Sequence, residues 1–342
     1  MKIRNFNTDD HVLLIAEIGQ NHEGDVSLAE EMIGMAAEAG ADAVKFQTFR
    51  TEYFISPKDS ERYQRMSRFE LDEAAHHRLA AQAKQAGLLF LSTPLDLESA
   101  RFLSDVVDGF KIASADNTFY PLLETVAETA KPIIISTGLA DLGELQAAVE
   151  TIRSIWKKNK IEQDVSLLHC VTAYPVPAQN ANLRAIETLR QAFDCTIGYS
   201  DHVLGIDAAV LAVALGARII EKHFTINKNQ SDFRDHQLSV DPEELQLLVS
   251  RIRETEAMLG DGGFDLNPSE APLNQAVRRS IAAARDLPAG KTIEEEDIMW
   301  IRPGGGYSPG EEARVIGLRT REVIQKGQLF EVELLECAPC AE

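Results

Sequence analysis

The chain has 342 residues, 44% of them hydrophobic, with 34 basic against 54 acidic side chains and a formal charge of −20. That excess of negative charge repels nucleic-acid phosphates and anionic lipid surfaces. No apolar run approaches the roughly 20 residues of a spanning helix, and the start MKIRNFNTDD carries no apolar secretion segment. These features predict a cytoplasmic protein that binds neither nucleic acid nor membrane, long enough for one large core and a small satellite.

Eight short apolar runs follow one another: VLLIAEIG (12–19), AVKFQT (43–48), LLFLST (88–93), GFKIAS (109–114), PIIIST (132–137), VSLLHC (165–170), CTIGYS (195–200) and RIIEKHF (218–224). Nearly continuous apolar runs are the mark of buried parallel strands. Segments such as SLAEEMIGMAAEAG and DPEELQLLVSRIRETEAML lie between them, with apolar residues at three- and four-residue spacing. The alternation predicts an α/β fold, a TIM (β/α)8 barrel over residues 1–262. TEYFISPKDSERYQRMSRFE (50–69) reads as a long helix-poor loop, and such loops gather at the catalytic face.

The stretch GDGGFDLNPSEAPLNQ interrupts the pattern, so a linker is expected at 263–279. Short strand-like pieces in 280–342 predict a small mostly-β domain, docked on its own barrel or on that of a second subunit. Cys337 and Cys340 form a lone C-x-x-C near the terminus and read as a frayed tail, not a zinc or redox site.

Polar residues that close barrel strands are the place to look for chemistry. Lys45 and Lys111 are embedded in apolar runs, where an unpaired ammonium is costly. An internal ion pair with Glu17 or Glu221 would satisfy them, as would an anionic ligand, and a Schiff-base lysine is a third option. Because Thr93, Ser114, Ser136 and Ser200 also end runs, a phosphate or carboxylate ligand fits best. His202 and His223 end the last two runs, and with Glu17 and Asp235 they form a candidate set for Mn²⁺, Zn²⁺ or Co²⁺ with open positions. His76 and His77 are expected on a solvated helix face, and His169 suits core or cavity equally.

The segments AEIGQNHEG (16–24), VKFQT (44–48), STP (92–94), FKIASAD (110–116), KPIIISTG (131–138), YSDH (199–202) and EKHFT (221–225) resemble the sialic acid synthase family, also called N-acetylneuraminate or nonulosonate synthases. RRSIAA (278–283) and WIRPGGG (300–306) resemble its C-terminal antifreeze-like SAF domain. The resemblance implies a transferase that condenses phosphoenolpyruvate with an N-acetylmannosamine-type aldose and water, releasing a nonulosonic acid and phosphate. N-acetylneuraminate is the first expectation. A legionaminate- or pseudaminate-type product from a 2,4-diacetamido-2,4,6-trideoxyhexose is the alternative, ahead of a Schiff-base aldolase or a non-catalytic carbohydrate-binding protein.

By the same resemblance, Lys45, Lys111, Thr93, Ser114, Ser136 and Ser200 hold phosphoenolpyruvate. His202 and His223 bind a divalent metal, Mn²⁺ foremost with Mg²⁺ or Co²⁺ as alternatives. Glu17 manages protons, and Asp116 stands where the family has a glutamate implicated in water addition. Gln47, Tyr174 and Asp235 orient the sugar, with Thr172 beside them where some relatives carry Asn. Arg302 reaches the N-acyl group from the SAF domain of a partner subunit in a domain-swapped homodimer.

Overall fold

The computed structural model describes residues 1–336, so Cys337 and Cys340 lie outside the described residues. Eight parallel strands close into a barrel with helices between them: β1 (Leu13–Gly19), β2 (Ala43–Thr48), β3 (Leu89–Pro94), β4 (Gly109–Ile112), β5 (Ile133–Ser136), β6 (Val165–Cys170), β7 (Thr196–Asp201) and β8 (Ile219–His223). Closure runs from β8 to β1, in a register that sets Ile219 beside Leu13 and His223 beside Glu17. This is the TIM-type architecture expected from the alternating runs.

Successive side chains on a strand face opposite ways, and that alternation sorts the barrel's chemistry. Near the N-terminal end the interior holds Leu13, Ile15, Ala43, Leu91, Ile134, Leu168 and Ile219, sealed below by Met1 and Ile3 of a small hairpin (Lys2–Ile3 with Phe6–Asn7). Two residues further along the strands the same face becomes polar, with Glu17, Lys45, Thr93, Lys111, Ser136, Ser200 and Glu221. The outward residues, among them Val44, Phe46, Phe90 and Phe110, pack under the helices in the main core. Several of those helices begin at an aspartate whose side chain accepts from the first turn, as at Asp25, Asp72, Asp96, Asp141 and Asp241.

Residues 50–69 are not helix-poor. They form helices at Thr51–Phe54 and Ser60–Phe69, the second capped by Asp59. Only Met66 and Phe69 of the longer helix are buried, packing with Phe49 and Ile55; so narrow an apolar stripe among charged residues hides the helical period. His76 is buried rather than solvated, with its ring 2.8 Å from Thr48 Oγ1 and 2.9 Å from the Asp72 carbonyl, whereas His77 is exposed. No helix among the described residues is long and apolar enough to cross a membrane.

The chain separates into two compact units between Gly260 and Asp261. The second pairs Ser280–Ala283 with Ile298–Ile301 and Arg319–Thr320 with Leu335–Glu336, each antiparallel, around Ile281, Leu287, Ile293, Ile324 and Phe330. A short helix, Ala271–Val277, occupies part of the stretch read as linker; its proline lies in the first turn, where the missing N–H costs nothing.

One glycine limits the approach of β7 to its neighbours. A Cβ on Gly198 would stand 2.4 Å from the Ile219 carbonyl oxygen and 2.5 Å from Leu168 Cδ2, so the strand carrying Ser200 has no room for a side chain here. Gly198→Ala is predicted to destabilise the barrel by about 1–3 kcal/mol, the usual cost of overpacking. Urea unfolding of the two proteins measures it, and equal midpoints would show that the strands can part without penalty.

Candidate active site

At the C-terminal ends of the strands lies a cavity of about 1090 Å³. It is lined by all the barrel residues singled out from the sequence: Glu17, Lys45, Gln47, Thr93, Lys111, Ser114, Asp116, Ser136, Thr172, Tyr174, Ser200, His202, His223 and Asp235. Arg302 belongs to the second unit, exposed just after the strand Ile298–Ile301.

The floor is a buried cluster of charges. Lys45 Nζ stands 2.7 Å from Glu17 Oε2 and 3.8 Å from Glu221 Oε2, and donates to Thr93 Oγ1 at 3.0 Å. Lys111 Nζ donates to Ser136 Oγ at 2.5 Å and to the Ile112 carbonyl at 3.1 Å, and lies 3.8 Å from Glu221 Oε1. Ser200 donates to Glu221 at 2.8 Å, and Gln47 donates to Glu17 at 3.0 Å. Glu221 is therefore the carboxylate shared by both lysines. The period-2 spacing two residues before His223 is the signal that places it inside.

Burial pushes both carboxyl groups up, and the outcome differs because their neighbours differ. For Glu221, burial is overridden by Lys111 and Lys45, which hold it down at about 2. For Glu17 burial prevails over Lys45, and Glu221 adds to it, so its pKa is raised. Burial alone would lower Lys45, but the facing Glu17 and Glu221 carboxylates hold it above its ordinary value; for Lys111 burial wins and the pKa falls. When Glu17 carries a proton, one firm carboxylate faces two ammonium groups, leaving a positive floor suited to an anion. A carboxyl with a raised pKa holds a proton more readily than an ordinary glutamate.

His202 and His223 stand side by side on the wall, ring centroids 5.4 Å apart. His202 Nδ1 is 3.0 Å from the Val171 carbonyl, which can only accept, so in the neutral ring Nε2 carries a free lone pair. His223 Nδ1 is buried without a hydrogen-bond partner. Burial lowers both pKa values, His202 to about 4, and the neutral imidazole is the state that ligates metals. A carbonyl-oriented imidazole beside an unpartnered one fits a divalent cation. Glu17 does not join them, because its carboxylate is committed to Lys45 and Gln47. Among the described residues no set of three or more His, Cys, Asp or Glu side chains converges as a metal site.

Around the mouth, Tyr174 lies 4.3 Å from the His202 ring, and the Arg234 guanidinium sits 4.9 Å above the tyrosine while also bonding Asp235 at 3.2 Å. One side is apolar, formed by Phe54, Met66, Phe69, Leu95 and Phe233, with Phe69 and Phe233 in an edge contact at 5.2 Å. Arg62, Arg65 and Arg68 of the helix Ser60–Phe69 line the cavity beside it, and the Arg65 Nε is buried without a partner. The sequence places this segment at the catalytic face as a loop, without assigning its arginines a role. His169 takes the core role, its Nε2 donating to the Ala181 carbonyl at 2.8 Å.

A barrel whose strand ends carry a cationic, hydroxyl-rich floor below two imidazoles is an active-site architecture of the TIM type. The chain belongs to the NeuB family, whose model matches residues 32–263, and the SAF domain model matches 278–334. It is 40% identical over 337 residues to the N,N'-diacetyllegionaminic acid synthase of Legionella pneumophila, covering 94% of each chain. It is 47% identical over 294 residues to the protein MJ1065 of Methanocaldococcus jannaschii, covering 86% of this chain and 85% of that one. Among solved structures, the N-acetylneuraminic acid (sialic acid) synthetase of Leptospira borgpetersenii in complex with citrate superimposes with a TM-score of 0.74 at 36% identity, covering 80% of this chain and 94% of that one.

Burial raises the Asp116 carboxyl to about 6, although nearby Lys111 pulls it down. The folded chain therefore keeps a proton that the unfolded chain releases near pH 4. This contribution to stability is complete below about pH 4 and is lost as pH rises through 6. Carboxyl ¹³C NMR is predicted to show an Asp116 midpoint near 6, and Asp116→Asn should flatten the stability profile between pH 4 and 6. A midpoint near 4 would place the group in water.

Proposed function

We propose that this barrel condenses phosphoenolpyruvate with an N-acylated amino-sugar aldose and water to give a nonulosonic acid and inorganic phosphate. The observation that carries the reading is the floor: two buried ammonium groups sharing one firmly ionised carboxylate, ringed by Thr93, Ser114, Ser136 and Ser200. Phosphoenolpyruvate presents a phosphate and a carboxylate, the anions that such a floor solvates. Lys45, Lys111 and the hydroxyls hold these groups and turn C3 toward the sugar carbonyl.

C3 of phosphoenolpyruvate forms a bond to the aldehyde carbon, water adds at C2, and the C2–O bond to phosphorus breaks with departure of phosphate. Glu17, with its raised pKa, exchanges the proton of the sugar oxygen or of the incoming water. Asp116 faces the same cavity on the Lys111 side and serves the water or the departing phosphate. His202 and His223 hold a divalent ion, Mn²⁺ first and Mg²⁺ or Co²⁺ otherwise, which supplies Lewis-acid polarisation of the carbonyl. Gln47, Thr172, Tyr174 and Asp235 receive the sugar hydroxyls.

For the acceptor, the wall of Phe54, Met66, Phe69, Leu95 and Phe233 favours a sugar with an apolar 6-deoxy end over one with a C6 hydroxyl. The similarity to a diacetyllegionaminic acid synthase supports the same choice. We therefore put a 2,4-diacetamido-2,4,6-trideoxyhexose ahead of N-acetylmannosamine, the first expectation from sequence. Arg302 serves the N-acyl group from the SAF domain of a partner in a swapped homodimer.

Phosphate release from phosphoenolpyruvate with Mn²⁺ should favour the diacetamido trideoxy sugar over N-acetylmannosamine by at least about tenfold in kcat/KM, the value of one or two methylene-sized contacts. The reverse preference would reject the 6-deoxy acceptor, and no sugar-dependent release from a folded, Mn²⁺-supplied protein would reject the synthase. His202→Ala or His223→Ala should remove metal-dependent turnover while leaving the fold intact. Arg302→Ala is predicted to raise the sugar KM, with kcat kept if the contact binds ground and transition states alike; unchanged kinetics would take Arg302 out of the site.

A further inference from the structure

Behind the two imidazoles lies an ion pair that the reaction outlined above does not use. Asp201 and Lys222 are direct register partners on β7 and β8, each one residue from a histidine of the site. Their side chains are completely buried, with Lys222 Nζ 2.8 Å from Asp201 Oδ2. Alternation along the strands turns both toward the helices, and neither lines the cavity.

The hydrogen bonds of this pair converge on the backbone that carries His202. Asp201 Oδ1 accepts the Val203 N–H at 2.8 Å and the Tyr199 hydroxyl at 3.1 Å. Lys222 Nζ donates to the Val203 carbonyl as well as to Asp201. The His202 carbonyl accepts from Val176 N–H at 2.9 Å, and the His223 carbonyl accepts from Val240 N–H at 2.8 Å. Val203 is thus held at both its N–H and its carbonyl, and the ammonium that holds the carbonyl is the residue preceding His223. Two buried charges lose several kcal/mol of hydration each, and a well-packed apolar pair of similar volume is often no less stable. Folding stability calls for polar partners to Tyr199 and Val203 here, but not for full charges.

The geometry points to Asp201 and Lys222 as positioning residues that fix the backbone of both imidazoles, and so the spacing and direction of the metal-binding nitrogens. The inference rests on His202 and His223 being the metal ligands of the proposed function. It places the control of metal affinity in a pair that touches neither metal nor substrate.

The test compares Mn²⁺ binding to the full-length protein without substrates, by electron paramagnetic resonance, with thermal unfolding in EDTA. The apolar pair Asp201→Leu/Lys222→Met is expected to stay folded, unfolding somewhat lower than the parent for want of partners to Tyr199 and Val203, while binding Mn²⁺ about 10- to 100-fold more weakly, the usual effect of disturbing partners behind metal ligands. The amide pair Asp201→Asn/Lys222→Gln keeps hydrogen-bonding groups without charge and is expected to restore affinity to within a few-fold of the parent. Parent-like affinity in the folded apolar pair would overturn the proposal. So would an apolar pair that cannot fold, since the ion pair would then be structural, or an amide pair as weak as the apolar one. A parent that binds no Mn²⁺ would instead defeat the assignment of the two histidines, an outcome separable from these.

Discussion

The structure depends on one constraint: charged groups placed inside a barrel must be neutralised without filling it. Glu17, Lys45, Lys111 and Glu221 are each almost wholly removed from water, on β1, β2, β4 and β8. Removing one partner of such a set leaves a charge that the interior cannot solvate. The strands therefore cannot slip by one residue, since period-2 alternation would turn every charge against the helices and bring the apolar face into the cavity. The apolar layer of Leu13, Ile15, Leu91 and Ile134 below keeps water from reaching the cluster from the other end. Charge placement and barrel register specify each other.

The same cluster explains how the site divides its labour. Two lysines share Glu221 at 3.8 Å and neither pairs with it closely, so the ammonium groups remain able to turn toward an incoming anion. Glu17 lies closer to Lys45, yet burial raises its pKa. The imidazoles stand beside these charges, His223 in register with Glu17, and are kept neutral by burial. In the proposed reaction the cations receive the enol phosphate, the carboxyl moves protons, and the imidazoles hold the metal.

Most of this was legible in the sequence because a barrel strand reports its inward residues at every second position and its functional ones at its end. Lys45, Lys111, Ser136, Ser200, His202 and His223 could be named from that rule, and all line the cavity. What escaped depended on contacts between distant segments. The helix Ser60–Phe69 buries only two of its residues, so its helical form had no periodic signal, although its place at the catalytic face was legible. His76 looked like a surface residue because its partners, Thr48 and the Asp72 carbonyl, are defined only by how the helix meets β2. Glu17, which from sequence stood beside the two histidines as a further candidate ligand, is paired with Lys45, a contact that spacing alone does not distinguish from ligation.

The buried lysines serve either a ligand or only the carboxylates of Glu17 and Glu221, and the proposed chemistry requires the first. Equilibrium binding of phosphoenolpyruvate to the parent and to Lys111→Met, at matched Mn²⁺ and with both proteins shown to be folded, decides this most directly. A lysine bonded to Ser136 and free to meet a phosphate or carboxylate predicts a loss of affinity of at least about tenfold, the scale of one charge-assisted hydrogen bond. Equal affinity in the two proteins would mean that Lys111 exists to neutralise Glu221, and that the anion seat lies elsewhere in the barrel.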